Sequence, residues 1–162
     1  MQNDNSNYPL RPGRLQILFD NQTPLFFVTF NTYKRIRVLA NNAIHKAFTD
    51  FCKKSPDHGI AVGNYVKMPD HIHLFVWLNH DNIGLSRFVK SLKEKLGKTI
   101  LRQRINKPHW QQGFFDHVLR SSENYQEKSL YVRMNPVRVG LCVIPEDWAY
   151  GGKIHDLTWY DM

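Results

Sequence analysis

The sequence predicts an α+β domain, a ferredoxin-like antiparallel sheet with helices packed on it. Three observations carry that expectation. Leu25-Phe26-Phe27-Val28-Thr29-Phe30 is an unbroken aromatic and β-branched run, the composition of a strand. His71 to Leu78 reads as a second strand, with Ile72, Leu74, Val76 and Leu78 on one face and His71 and His73 side by side on the other. Leu85 to Arg104 sets Leu85, Phe88, Val89, Leu92, Leu96, Ile100 and Leu101 at helical spacing, among lysines and arginines.

The remaining elements fall between these. Residues 1–24 are polar and punctuated by Pro9, Pro12 and Pro24, which reads as an N-terminal arm. From Val38 to Lys54 the apolar positions Leu39, Ile44, Ala47, Phe48 and Phe51 predict a helix, ended by Ser55-Pro56-Asp57-His58-Gly59. Ile60 to Val66 reads as a strand joined to the His71 strand by the short link Lys67-Met68-Pro69-Asp70, which is hairpin spacing. Asn79-His80-Asp81-Asn82 reads as a polar loop. After the long helix, Asn106-Lys107-Pro108 is a break and Phe114 to Leu119 a further strand. Ser121-Ser122-Glu123-Asn124 supplies an N-cap and acidic first turn for a helix from Glu123 to Met134, with Asn135-Pro136 expected to stop it. The body of the domain is thus expected over residues 25–145, followed by an irregular tail over 146–162. The order strand, helix, strand, strand, helix, strand, helix is what yields the ferredoxin-like plan.

A chain of 162 residues is long enough for one domain with a real core and short for two. No apolar run approaches the roughly 20 residues that span a bilayer, so no membrane partner is expected. Met1 to Asn7 is polar and lacks a signal-peptide apolar region, which makes the cytoplasm the expected compartment. Cys52 and Cys142 stand far apart, without a CxxC neighbour, and read as free thiols. The formal charge of +8 is concentrated: Arg87 to Arg138 holds twelve Lys/Arg against four Asp/Glu, and the rest of the chain is balanced. Such a stretch suits a polyanion, most often nucleic acid, or else forms a solvated basic helix face.

His71 and His73, alternate residues of one strand, can present two imidazoles to a metal ion, but two ligands do not complete a site. The wider context is Pro69-Asp70-His71-Ile72-His73-Leu74, then Trp110-Gln111-Gln112-Gly113-Phe114-Phe115-Asp116-His117-Val118-Leu119-Arg120, then Tyr125. It ends in Tyr131-Val132-Arg133-Met134-Asn135-Pro136-Val137-Arg138-Val139-Gly140-Leu141. Taken together, over roughly residues 12–150, these motifs resemble the HUH single-tyrosine transposases, and within them the REP-associated tyrosine transposases.

That resemblance implies the HUH nuclease/transposase fold and a reaction. A helix-borne tyrosine attacks a phosphodiester of single-stranded or stem-loop DNA, leaving a 5′-phosphotyrosine and a free 3′-hydroxyl. It implies His71 and His73 as ligands of a divalent cation, Mg²⁺ or Mn²⁺, and Tyr125 as the nucleophile. Tyr131 is the competing nucleophile, but, flanked by Val132 and Met134, it is expected to pack. The resemblance also implies a third ligand one turn after the nucleophile. After Tyr125 that position is Ser129, a poor ligand, which leaves Gln126, Glu127, Asp70 or water to substitute. Arg87, Lys90, Lys93, Arg120, Arg133 and Arg138 are the candidates for phosphate contact, and Trp110, Phe114 or Phe115 for stacking on a base or for the core. Of Asp116 and His117, only one can face the site. The rival reading is a DNA hairpin-binding protein without catalysis on the same fold; a metal-dependent phosphoesterase of small substrates is more distant. Monomer and homodimer are both compatible with the sequence.

Overall fold

The computed structural model describes residues 16–19, 25–79 and 84–159. Its centre is a five-stranded sheet. The strands, in chain order, are β2 (Leu25–Asn31), β3 (Ile60–Lys67), β4 (His71–Leu78), β5 (Phe115–Leu119) and β6 (Gly151–Lys153), and their spatial order is β5-β2-β4-β3-β6. Every neighbouring pair is antiparallel. β1 (Gln16–Phe19) lies outside this sheet and pairs in parallel with β7 (Asp156–Trp159). The three helices are α1 (Asn42–Lys53), α2 (Leu85–Arg102) and α3 (Ser122–Arg138). The first four strands of the main sheet with α1 and α2 form the ferredoxin-like unit expected from the sequence.

The pleat decides where each helix packs. Ile72, Leu74, Val76 and Leu78 of β4 join Val28 and Phe30 of β2 beneath α1 and α2, which bury Ile44, Phe48, Phe88, Leu92, Leu96 and Ile100 there. Phe75 and Trp77 of β4 join Leu25, Phe27, Ala61 and Leu119 on the opposite face, where α3 contributes Val132. Burying one such large side chain stabilises the fold by about 1.5–3 kcal/mol. His71 and His73 share the α3 face with Phe75, so the alternation places both histidines under α3.

Several boundaries differ from the sequence expectation. α1 starts at Asn42 because the Asn41 side chain accepts a hydrogen bond from the Ile44 N–H at 3.1 Å; Leu39 is still fully buried, from the preceding loop. α3 does not stop at Asn135-Pro136 but runs on to Arg138. Its end is a left-handed Gly140, φ +79°, with Leu141 N–H bonded to Pro136 C=O and Gly140 N–H to Val137 C=O. The tail is not irregular: β6 extends the main sheet by pairing with Asn64–Val66, and β7 pairs with β1, which itself lies in the expected N-terminal arm. Gly97, inside α2, lets the loop behind it approach; a Cβ there would meet His109 Nδ1 at 3.4 Å and Trp110 Nε1 at 3.7 Å. His80, Asp81 and Asn82 of the expected polar loop, and most of residues 1–24, lie outside the described residues. Cys52 is buried, Cys142 half-buried, and both are free. Among the described residues no helix is long and apolar enough to cross a membrane.

Candidate functional site

The two histidines meet edge to face beneath α3, with ring centroids 4.7 Å apart and planes at 79°. A different neighbour holds each Nδ1. Asp70 Oδ1 accepts from His71 Nδ1–H at 2.7 Å, and Arg35 Nε donates to Asp70 Oδ2 at 3.0 Å. Arg35 reaches this carboxylate from a tight turn in which Lys34 and Arg35 both adopt left-handed backbone, φ +51° and +56°. The Thr29 hydroxyl engages His73 Nδ1 at 2.6 Å across the β2–β4 pairing, and the Phe27 ring stacks on the His73 ring at 5.3 Å. With Nδ1 occupied on both rings, Nε2 is the nitrogen left to act as a ligand.

His71 Nε2 faces α3, where the Asn135 amide nitrogen lies 3.5 Å away. Asn135 is buried, and a half-turn of its amide exchanges nitrogen for oxygen at this point. Two imidazoles and an amide oxygen are a donor set suited to a divalent cation that retains water or phosphate oxygens. The protonation states agree. Burial, the neighbouring His71 and the Arg138, Arg35 and Lys128 cations push His73 down to about 3. Burial also lowers His71, against the opposing pull of Asp70. Both rings are therefore neutral near pH 7, as ligation requires. Burial raises the Asp70 carboxyl, but hydrogen bonds from His71 and Arg35 outweigh it and hold the group below its usual range. Among the described residues no three His, Cys, Asp or Glu side chains converge, so Asn135 is the donor that would extend the histidine pair.

Of the two tyrosines of α3, Tyr131, expected to pack, is exposed, and Tyr125 is half-buried. Tyr125 packs its ring edge-on against Phe75 at 5.2 Å and joins the apolar cluster of the α3 face. Its hydroxyl lies beside Gly63 of β3, 3.6 Å from where a Cβ would stand. Burial, with a contribution from Asp156, raises its pKa, and the nearby Ser129 opposes that shift without closing a well-formed hydrogen bond. Tyr131 is not packed: it is 50% exposed, while its neighbour Val132 is 1% exposed. The Arg138 guanidinium sits over the Tyr131 ring at 3.9 Å, and Lys128 Nζ lies 6.0 Å from the same ring. Asn135 follows Tyr131 by one helical turn, the interval at which the sequence reading sought a third ligand after Tyr125 and found Ser129.

The basic residues divide. Arg138 stands beside the histidine site, and Arg120 is exposed where β5 leads into α3. Arg133 is exposed and paired with Glu146. Arg87 and Lys90 are exposed on α2, on the far side of the sheet from the histidines. Lys93 is committed to the fold, donating to Gln111 C=O at 3.1 Å and Gly113 C=O at 2.6 Å. On β5, His117 stands opposite Phe27 and so shares the histidine face, while Asp116 stands opposite Val28 and faces away. Sequence reasoning assigned no role here to Thr29, Arg35, Lys128 or Asn135. Only Asn135 carried a usable signal, its four-residue spacing from Tyr131.

A family model described as IS200-like transposase matches residues 24–133. The REP-associated tyrosine transposase of Escherichia coli strain K12 is 22% identical over 133 residues, 82% of this chain and 78% of that protein. A Haemophilus influenzae protein bearing the same family name is 28% identical over 126 residues, 72% of this chain and 70% of that protein. Among solved structures, a REP-associated tyrosine transposase bound to a REP hairpin superposes with a TM-score of 0.67 at 20% identity, covering 82% of this chain and 77% of the other. A Deinococcus radiodurans protein described as a transposase gives 0.51 at 17% identity, covering 68% and 88%. These two likenesses are of fold. With the family match extending over most of the sheet and into α3, the chain belongs to the IS200-like transposases.

Proposed function

We propose that this protein is a single-tyrosine DNA strand transferase acting on single-stranded or stem-loop DNA, with Tyr131 as nucleophile. The observation that carries the reading is the contact between His71 and Asn135, one turn along α3 from an exposed tyrosine under a guanidinium. His71, His73 and Asn135 would hold a divalent cation, Mg²⁺ or Mn²⁺, which when bound supplies charge stabilisation at the scissile phosphate. The chain's own groups do the rest. A phenol has a pKa of roughly 10 and attacks only as phenolate. Arg138 and Lys128 lie over the Tyr131 ring, which puts two cations where the scissile phosphate would meet the phenol. The phenolate oxygen forms a bond to phosphorus while the bond to the 3′-oxygen breaks, and that oxygen takes up a proton. The resulting 5′-phosphotyrosine keeps a phosphodiester, so rejoining to another 3′-hydroxyl needs no external energy source. Arg35, Lys128 and Arg138 make the surroundings of the site electropositive, which suits DNA phosphate. The structural neighbour bound to a REP hairpin supports a stem-loop as the substrate class.

Tyr125, the sequence-based choice, has its ring in an apolar cluster and its ionisation opposed by burial. The test uses a labelled hairpin oligonucleotide with Mg²⁺ or Mn²⁺. A covalent protein–DNA adduct is expected that disappears in Tyr131→Phe and persists in Tyr125→Phe. The reverse pattern would return the role to Tyr125. Specific hairpin binding with no adduct across a broad hairpin set and both metals would favour the binding-only rival. That rival draws on the same cation cluster, which opposes metal binding until phosphate arrives.

A further inference from the structure

Three aromatic side chains of the 110–115 segment are stacking candidates by type, and the fold separates them. Trp110 is tied to the α2 side: its Nε1–H donates to Lys93 C=O at 2.9 Å and its ring packs edge-on against Phe30 at 5.3 Å. Phe114 packs against the same cluster. Phe115 does neither. It is 60% exposed, the most exposed aromatic among the described residues. Leaving a phenylalanine this open forgoes most of the free energy that burying it would bring, so packing does not account for its position.

Register says where it points. Phe115 stands directly opposite Thr29 in the β2–β5 pairing, and Thr29 directly opposite His73 in the β2–β4 pairing. Directly paired residues share a face, so Phe115, Thr29 and His73 form one row across three strands on the α3 side of the sheet. At about 4.8 Å between strands, Phe115 lies about 10 Å from His73 along this row. β5 is an edge strand, and Asp116 and His117 beside Phe115 are exposed as well, so the row opens to solvent at this end. Lys128, from α3, hangs over the same face with Nζ 5.5 Å from the Phe27 ring, one paired position along from Thr29 on that face.

An exposed aromatic at a nucleotide's reach from a phosphate-binding centre, with a cation beside the path, fits one class of occupant: a nucleobase of single-stranded DNA stacked on the ring, with its backbone along the basic side. We infer that Phe115 is the stacking platform for an unpaired base flanking the phosphate held at the His71–His73 site. This inference rests on the proposed function, since it takes the occupant to be DNA.

The experiment measures equilibrium binding of the full chain to a fluorescent dT20 and to an abasic 20-mer of equal charge. Wild type is expected to prefer dT20. Phe115→Ala is expected to weaken dT20 binding about ten-fold while barely changing the abasic strand, and Phe115→Trp to restore the preference. A Phe115→Ala protein that keeps the full preference, or that loses both strands equally, overturns the inference while leaving a DNA-binding protein. Wild type binding both strands equally does the same. Wild type binding neither strand also overturns the inference, and the proposed function is then decided by the hairpin adduct alone.

Discussion

Asn135 and His71 meet between α3 and β4, amide nitrogen to Nε2 at 3.5 Å, across 64 residues of sequence. The buried amide lies against the one nitrogen of His71 that Asp70 leaves free, and a half-turn would present its oxygen there instead. Replacing this amide by methyl is therefore expected to act on the metal before it acts on the fold. Asn135→Ala should weaken Mn²⁺ binding at least ten-fold. Asn135→Asp, which adds an anionic oxygen at the same place, should tighten it. Calorimetric titration with Mn²⁺ distinguishes these; equal affinities across the three proteins would remove Asn135 from the ligand set.

Asp70 is expected to matter nearly as much, without touching the ion. Its carboxylate fixes the proton on His71 Nδ1 and is itself held by Arg35. Asp70→Asn should cost about 10–100-fold in metal affinity. Nitrogen NMR of the imidazole should show His71 losing its preference for the Nδ1–H form. A loss of affinity with the tautomer unchanged would mean that Asp70 acts by its charge alone.

The two tyrosines should separate in stability as well as in chemistry. Tyr125→Ala removes a ring packed on Phe75 and should cost about 3 kcal/mol in urea denaturation. Tyr131→Ala, from a side chain half in solvent, should cost less than about 1 kcal/mol. Comparable losses at both positions would contradict the burial described here.

Lys67 sets a pH dependence far from the histidines' own. It is fully buried, donates from Nζ to Leu39 C=O at 2.6 Å, and lies 4.4 Å from the centre of the Tyr150 ring. Burial lowers its pKa to about 7. Between about 7 and the ordinary lysine value near 10.4 the unfolded chain binds a proton that the folded chain does not. Stability therefore rises with pH through this window and is insensitive to Lys67 below it. Lys67→Met should flatten the rise. Urea midpoints at pH 7 and pH 9 for both proteins give the comparison, and an unchanged slope in the variant would assign the dependence elsewhere.

The strands and α2 were legible because their signals are periodic. Alternation along β4 put Ile72 and Leu74 on one face and the histidines on the other, and the fold keeps that division. Tyr131 was misread from its neighbours. Val132 and Met134 suggested packing, yet adjacent residues of a helix point about 100° apart, so an apolar flank says little about a helical side chain's own surroundings. The end of α3 was misplaced for a related reason: Pro136 lacks an N–H, but the helix continues until Gly140 supplies the left-handed turn. β6 had no signal of its own. Gly151-Gly152-Lys153 becomes a strand because the edge of β3 offers Asn64–Val66 as partners, a relation no local window contains. Asn135 drew no attention because a third ligand was considered only one turn beyond Tyr125, and its approach to His71 joins residues 64 apart in sequence.

Because α3 passes through Pro136 unbroken, Tyr131, Asn135 and Arg138 ride on a single rigid screw. Their mutual angles are a matter of counting residues, with no loop between them to absorb an error. Adding or deleting one residue between Tyr131 and Asn135 would turn the phenol by about 100° and slide it about 1.5 Å relative to the amide. The chain can therefore vary which side chains line this helix far more freely than it can vary how many residues separate them.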